Sequence, residues 1–314
     1  MDYKDRQAGL VVFGILWILV GLLLGGMSLL MIVGSLAASA GAPGALPLRM
    51  TVPLMLIYLG IGACFITLGI GSMMSRRWAR ALILVLSWMW LITGVMSVFI
   101  TFWMIPKMFS TLPADQAAAK PFIIGCMAVI FGLFFLLLPG LAILFYRSPN
   151  VKATVEERDP VRRWTDDVPL PLLAFSVWMI GGAGAVLLCG VMYPSFPLGR
   201  WMIRGIAVPA VMTAFATLLF FIGIGSLRRK PAAWWTAIAM FVVGAAWGLT
   251  FMGHMNLTDW YHDMGMPVDP RQTEIVQSMY GSPYFLVWLI VFWGAYLAFL
   301  LYLRRYFVQN VNRM

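Results

Sequence analysis

Eight stretches of the chain, 10–33, 53–73, 81–104, 122–146, 170–192, 206–227, 232–255 and 284–302, run about twenty residues each without an Asp, Glu, Lys or Arg. A helix needs about 20 apolar residues to cross the hydrocarbon core of a bilayer, and only a helix or a closed barrel satisfies its backbone there. The stretches show no alternating strand pattern. The expected fold class is therefore all-α, a polytopic membrane bundle of eight transmembrane helices. Composition agrees, because a chain that is 62% hydrophobic and 11% charged, with a mean hydropathy of +0.89, cannot cover a soluble globule with polar surface. The first stretch is followed by "SLAASAGA", which offers a signal-peptidase-like site. Its apolar run is longer than the roughly 7–15 residues of a signal core, so it reads as a retained helix.

The positive charges set the expected orientation. Of the 22 Lys and Arg residues, 16 fall in the two terminal segments and the loops on their side, and 6 on the other. The positive-inside rule then places both termini in the cytoplasm. The net charge of +10 is thus a topology signal. No basic stripe with interleaved aromatics marks a nucleic-acid partner; the partners implied are the lipid bilayer and other membrane proteins.

An internal repeat organises the rest. "TVPLMLIYLGIGACFITLGIGSMMSRRW" in the first half answers "AVPAVMTAFATLLFFIGIGSLRRKPAAWW" in the second, each with Val-Pro, then Gly-Ile-Gly-Ser, then a basic turn. Trp17 with Gly21 parallels Trp178 with Gly182, Pro121 with Gly132 parallels Pro283 with Gly294, and "SPNV" parallels "VQNV". This predicts two parallel four-helix repeats, 1–147 and 169–314, related by an axis along the membrane normal. Between them, 148–168 reads as a solvated cytoplasmic linker, with a docking strip for a soluble partner as the sharper alternative. Two outer loops carry helix signals. In "VDPRQTEIVQSMYGSP", Asp269 suits a cap, Pro270 the first helical position, and Gly281 with Pro283 a stop; "TLPADQAAAKP" is a weaker version.

Chemistry is sparse. Ionisable residues at mid-depth in a membrane mark ion paths and substrate sites, and these stretches hold none. Gly21 with Gly25 and Gly244 with Gly248 have the small-xxx-small spacing of close helix contacts. Cys64, Cys126 and Cys189 stand alone in separate stretches, without the Cys-x-x-Cys of metal or redox work. There is no phosphate loop, nucleophile elbow or His-Glu-x-x-His. The sequence therefore names no catalytic residue, and the expectation is a protein that is not an enzyme.

Two constellations remain. "GHMNLTDWYHDMGM" gathers both histidines, and His254, Met255 and His262, with Met264 and Met266, are soft donors suited to copper; Asp259 and Asp263 would suit harder ions. The competing reading is an interfacial loop anchored by Trp260 and Tyr261, and it is favoured because methionine is abundant throughout, 23 in all. The second is Arg49 and Arg204, at equivalent places just before each Val-Pro. They read either as anchors that snorkel to the headgroups or as a ligand-binding pair for an anionic headgroup or solute, arginine being suited to bidentate oxyanion contacts.

The "GIGS…RRWAR" turn resembles a theme of small bacterial integral membrane proteins, which implies a bacterial inner membrane. Three functions follow in order: a non-catalytic subunit or scaffold of an inner-membrane assembly, a transporter or lipid- or anionic-solute-handling protein using the arginine pair, and an outer-face copper-binding protein.

Overall fold

A computed structural model describes residues 3–39, 48–109, 119–198, 201–254, 257–264, 270–280 and 282–308. Eight helical segments among them are long and apolar enough to cross a membrane. They are α1 (Gln7–Ser39), α2 (Leu48–Met73), α3 (Arg77–Phe109), the run of α4 (Lys120–Phe131), a π-helical turn (Gly132–Leu137) and α5 (Leu138–Arg147), then α8 (Leu170–Met192), α9 (Ala207–Leu227), α10 (Pro231–His254) and α13 (Pro283–Val308). Between spans lie α6 (Pro149–Arg158), α7 (Trp164–Asp167), α11 (Leu257–Met264), α12 (Pro270–Tyr280) and a hairpin of β1 (Ser195–Leu198) and β2 (Trp201–Arg204). The chain packs as two compact units, one of residues up to Leu23 with Gly62–Leu170, the other of Leu24–Ile61 with the residues from Pro171 onward.

In the first unit α1 and α2 approach through glycines seven residues apart. A Cβ at Gly14 would stand 2.8 Å from the Gly69 carbonyl oxygen, and one at Gly21 would stand 2.6 Å from that of Gly62. Among the described residues the four-residue pairs expected from the sequence are not used: Gly21 is packed while a Cβ at Gly25 would meet nothing, and Gly248 meets Trp293 while Gly244 meets nothing. Nearly antiparallel neighbours crossing at a shallow angle return to the same face every seven residues. Beneath this seam Trp17 stacks on Phe65 at 5.3 Å, with Trp90 and then Phe134 beside them. Near the basic turn the Ser72 hydroxyl donates to the Leu10 carbonyl at 3.0 Å and lies 2.6 Å from the Tyr146 hydroxyl. This satisfies buried polar atoms that would otherwise cost about 1–3 kcal/mol each.

The segment read as a solvated linker is instead folded onto this unit. Val151, Thr154 and Val155 of α6 are buried, and Asp159, 2% exposed, ends the helix as a counter-ion. Its carboxylate accepts from the Arg77 backbone N–H at 3.2 Å and lies 3.7 Å from Arg76, while its carbonyl accepts from Arg77 Nε at 2.5 Å. Composition misled here because it counts charges without showing that Asp159 is buried against the basic turn and that Val151 and Val155 bury one side of α6.

In the second unit Trp234 Nε1 donates to the Leu300 carbonyl at 2.8 Å, and Leu300, Leu303 and Phe307 are buried. A Cβ at Gly223 would stand 2.6 Å from the Ile180 side chain and 3.1 Å from the Ser176 carbonyl; one at Gly69 would meet Ile18 at 2.7 Å and the Gly14 carbonyl at 2.6 Å. The basic turns close alike. Arg76 N–H reaches the Gly71 carbonyl and Ser75 N–H that of Ser72; Lys230 and Arg229 do the same to Gly225 and Ser226. These are Schellman closures, with Ser75 at φ 54° and Arg229 at φ 52° in the left-handed region.

The helix expected after Asp269 is present as α12, beginning at Pro270. Its first-half counterpart lies almost wholly outside the described residues. The hairpin was not expected: four-residue strands are too short to display alternation in the sequence.

Candidate anion site beside the hairpin

Arg204 ends β2, paired in register with Ser195 of β1. The hairpin mouth is closed by a hydrogen bond from Gly205 N–H to the Pro194 carbonyl at 3.2 Å. Gly205 sits at φ +62°, a turn that a side chain would strain, and it sends the chain directly into α9. Arg204 is thereby fixed at the end of α9 opposite the basic turn Arg228–Lys230. Arg49 stands in the first turn of α2, exposed, beside the buried Met50 and Thr51.

Both arginines reach one residue of α11. Arg204 Nε donates to Asp263 Oδ2 at 2.8 Å, and an Arg49 guanidinium nitrogen approaches the Asp263 backbone carbonyl at 3.5 Å. The Arg204 side chain is 62% exposed and that of Asp263 21%. Hydrogen bonding from Arg204 holds the Asp263 carboxyl below the usual carboxylate range, against the opposing effect of burial. Ser195, opposite Arg204 in the hairpin register, is 1% exposed, and its Oγ makes no hydrogen bond among the described residues. Trp260 pins α11 to the hairpin, donating from Nε1 to the Ser195 carbonyl at 3.4 Å with its ring 5.8 Å from that of Tyr193.

The arrangement presents two guanidinium groups, one carboxylate and one hydroxyl, a chemistry suited to oxyanions. Arg49 and Arg204, paired on sequence grounds, are brought to the same residue. Asp263, which the sequence suggested only for a hard metal ion, is what joins them. The available signal was charge: an acid in a set of loops with few partners tends to pair.

The metal reading fares differently. His254 closes α10 with its side chain outside the described residues, where Met255 also lies, while His262 is exposed on α11. Among the described residues no three His, Cys, Asp or Glu side chains gather to hold a metal ion. The chain matches no protein-family model, no curated protein and no solved structure.

Proposed function

We propose that this polytopic membrane protein engages an anionic headgroup or solute through Arg49 and Arg204. The observation that carries the reading is the meeting of two arginines, distant in sequence, on Asp263. Simple headgroup anchoring needs no such meeting, since a snorkelling cation works alone. Titration of inorganic phosphate into protein held in a neutral detergent tests it. Arg204→Lys should weaken binding although charge is retained, because the fork geometry is lost; unchanged binding would leave anchoring as the better account.

A second reading, a non-catalytic subunit or scaffold of a bacterial inner-membrane assembly, is favoured by Gly125 in α4, Gly132 in the π-helical turn and Gly140 in α5. Among the described residues, a Cβ at any of them would meet nothing within 4 Å, whereas Gly14 and Gly21 are packed against backbone. Close approach of a neighbouring helix is what such glycines permit. Native purification with mass spectrometry should then show a stoichiometric membrane partner.

The duplication of four helices belongs with these proposals. It is supported by the matched Schellman turns, by the like surroundings of Gly69 (Ile18 and the Gly14 carbonyl) and of Gly223 (Ile180 and the Ser176 carbonyl), and by the contacts of Gly71 with Ala79 and of Gly225 with Ala233.

A further inference from the structure

We propose that Asp263 is a tethered competitor, a carboxylate of the chain itself seated where an external oxyanion binds. This rests on the anion-binding reading above. What a site already holds indicates the chemistry it takes. Here the tenant is a carboxylate oxygen 2.8 Å from Arg204 Nε, so the ligand class is a carboxylate or phosphate oxyanion, free or on a lipid headgroup.

Three observations support displacement over a permanent tie. The ion pair is largely exposed, 62% on the Arg204 side, and exposed pairs are weak enough for a bidentate ligand to outcompete. An Arg49 guanidinium nitrogen approaches the backbone carbonyl of Asp263, so movement of this one residue changes a contact of both guanidinium groups at once. The Ser195 hydroxyl, on a residue 1% exposed and without a hydrogen-bond partner among the described residues, belongs to the residue paired with Arg204 across the hairpin and is a spare donor there.

The test uses the full chain in a neutral detergent, titrated with inorganic phosphate and with acetate, and the chain in nanodiscs of phosphatidylcholine with or without phosphatidylglycerol. Removing the competitor, Asp263→Asn, should tighten binding about two- to fivefold, the weight of an exposed ion pair. Asp263→Ser should do the same and covers the case in which the amide disturbs folding. Tightening for phosphate and acetate identifies a free solute, and tightening confined to phosphatidylglycerol retention identifies a headgroup. In the wild type, phosphate or phosphatidylglycerol should change the emission of Trp260 as α11 releases Ser195, a change absent in Trp260→Phe. If the wild type binds and Arg204→Lys weakens it, yet neither Asp263 variant tightens binding and Trp260 is silent, the competitor is overturned while the anion site stands. If no probe binds the wild type or the Asp263 variants, both fall.

Discussion

Ser75 and Arg229 carry positive φ without being glycine, and a side chain in the left-handed region costs about 1 kcal/mol. Ser75→Gly should therefore raise unfolding stability by up to about 1 kcal/mol in denaturant titration, since Ser75 is bound through its backbone. Asp263 gives a pH expectation. Its folded-state value is depressed below the ordinary 3.8, chiefly by hydrogen bonding from Arg204. Its contribution to stability is thus complete above that ordinary value and is lost as pH falls through the depressed one. Thermal unfolding of wild type and Asp263→Asn should converge in strong acid and differ at neutral pH. Under the proposed duplication, Arg49 and Arg204 are counterparts. Their common partner is invisible to that comparison, because it lies 214 residues from one and 59 from the other.

Among elements, the α1–α2 seam and the folded joint carry the strongest expectations. Gly14→Ala would press a methyl group to within 2.8 Å of a backbone oxygen, and backbone cannot yield as a side-chain tip can. A loss of about 1–3 kcal/mol should appear in thermal unfolding, while Gly25→Ala, facing open space, should be neutral. Asp159→Ala removes the buried counter-ion of Arg76 and Arg77. The loss of its charge-assisted hydrogen bonds, about 1–3 kcal/mol, should expose 149–167 to limited proteolysis. The existence of every span was readable from hydropathy, since an apolar stretch of this length without strand alternation satisfies its backbone in lipid as a helix. Which glycines touch was not, because spacing reports a face and only packing selects its partner. The joint misread for a related reason: composition counts charges without saying which of them neutralise each other.

For the whole molecule, the charge asymmetry predicts topology. Reporter fusions after Arg80, Arg163 and Arg229 should read cytoplasmic, and fusions near Asp115 and Asp269 external; one reading on the wrong side would overturn the assignment. Purified protein should hold less than one copper per chain. Stoichiometric copper lost in the His254→Ala, His262→Ala double variant would revive the metal reading.

The π-helical turn at Gly132–Leu137 bears on how such a chain changes length. Under the proposed duplication, Pro121 and Gly132 match Pro283 and Gly294 at a separation of 162 residues. Beyond the turn, the buried Pro139, Ala142 and Tyr146 match the buried Leu300, Leu303 and Phe307 at 161. One spare residue is accommodated as a wider turn, which keeps these three positions inward, although the buried Ile143 falls opposite the exposed Arg304. An ordinary helix would have rotated by about 100°. Phe307, standing for Tyr146, has no hydroxyl to offer Ser226, which is buried without a partner among the described residues. Deleting one of 132–137 should therefore leave a foldable protein, whereas a deletion in 139–146 should turn its buried face toward lipid, an outcome that thermal unfolding of the two variants checks.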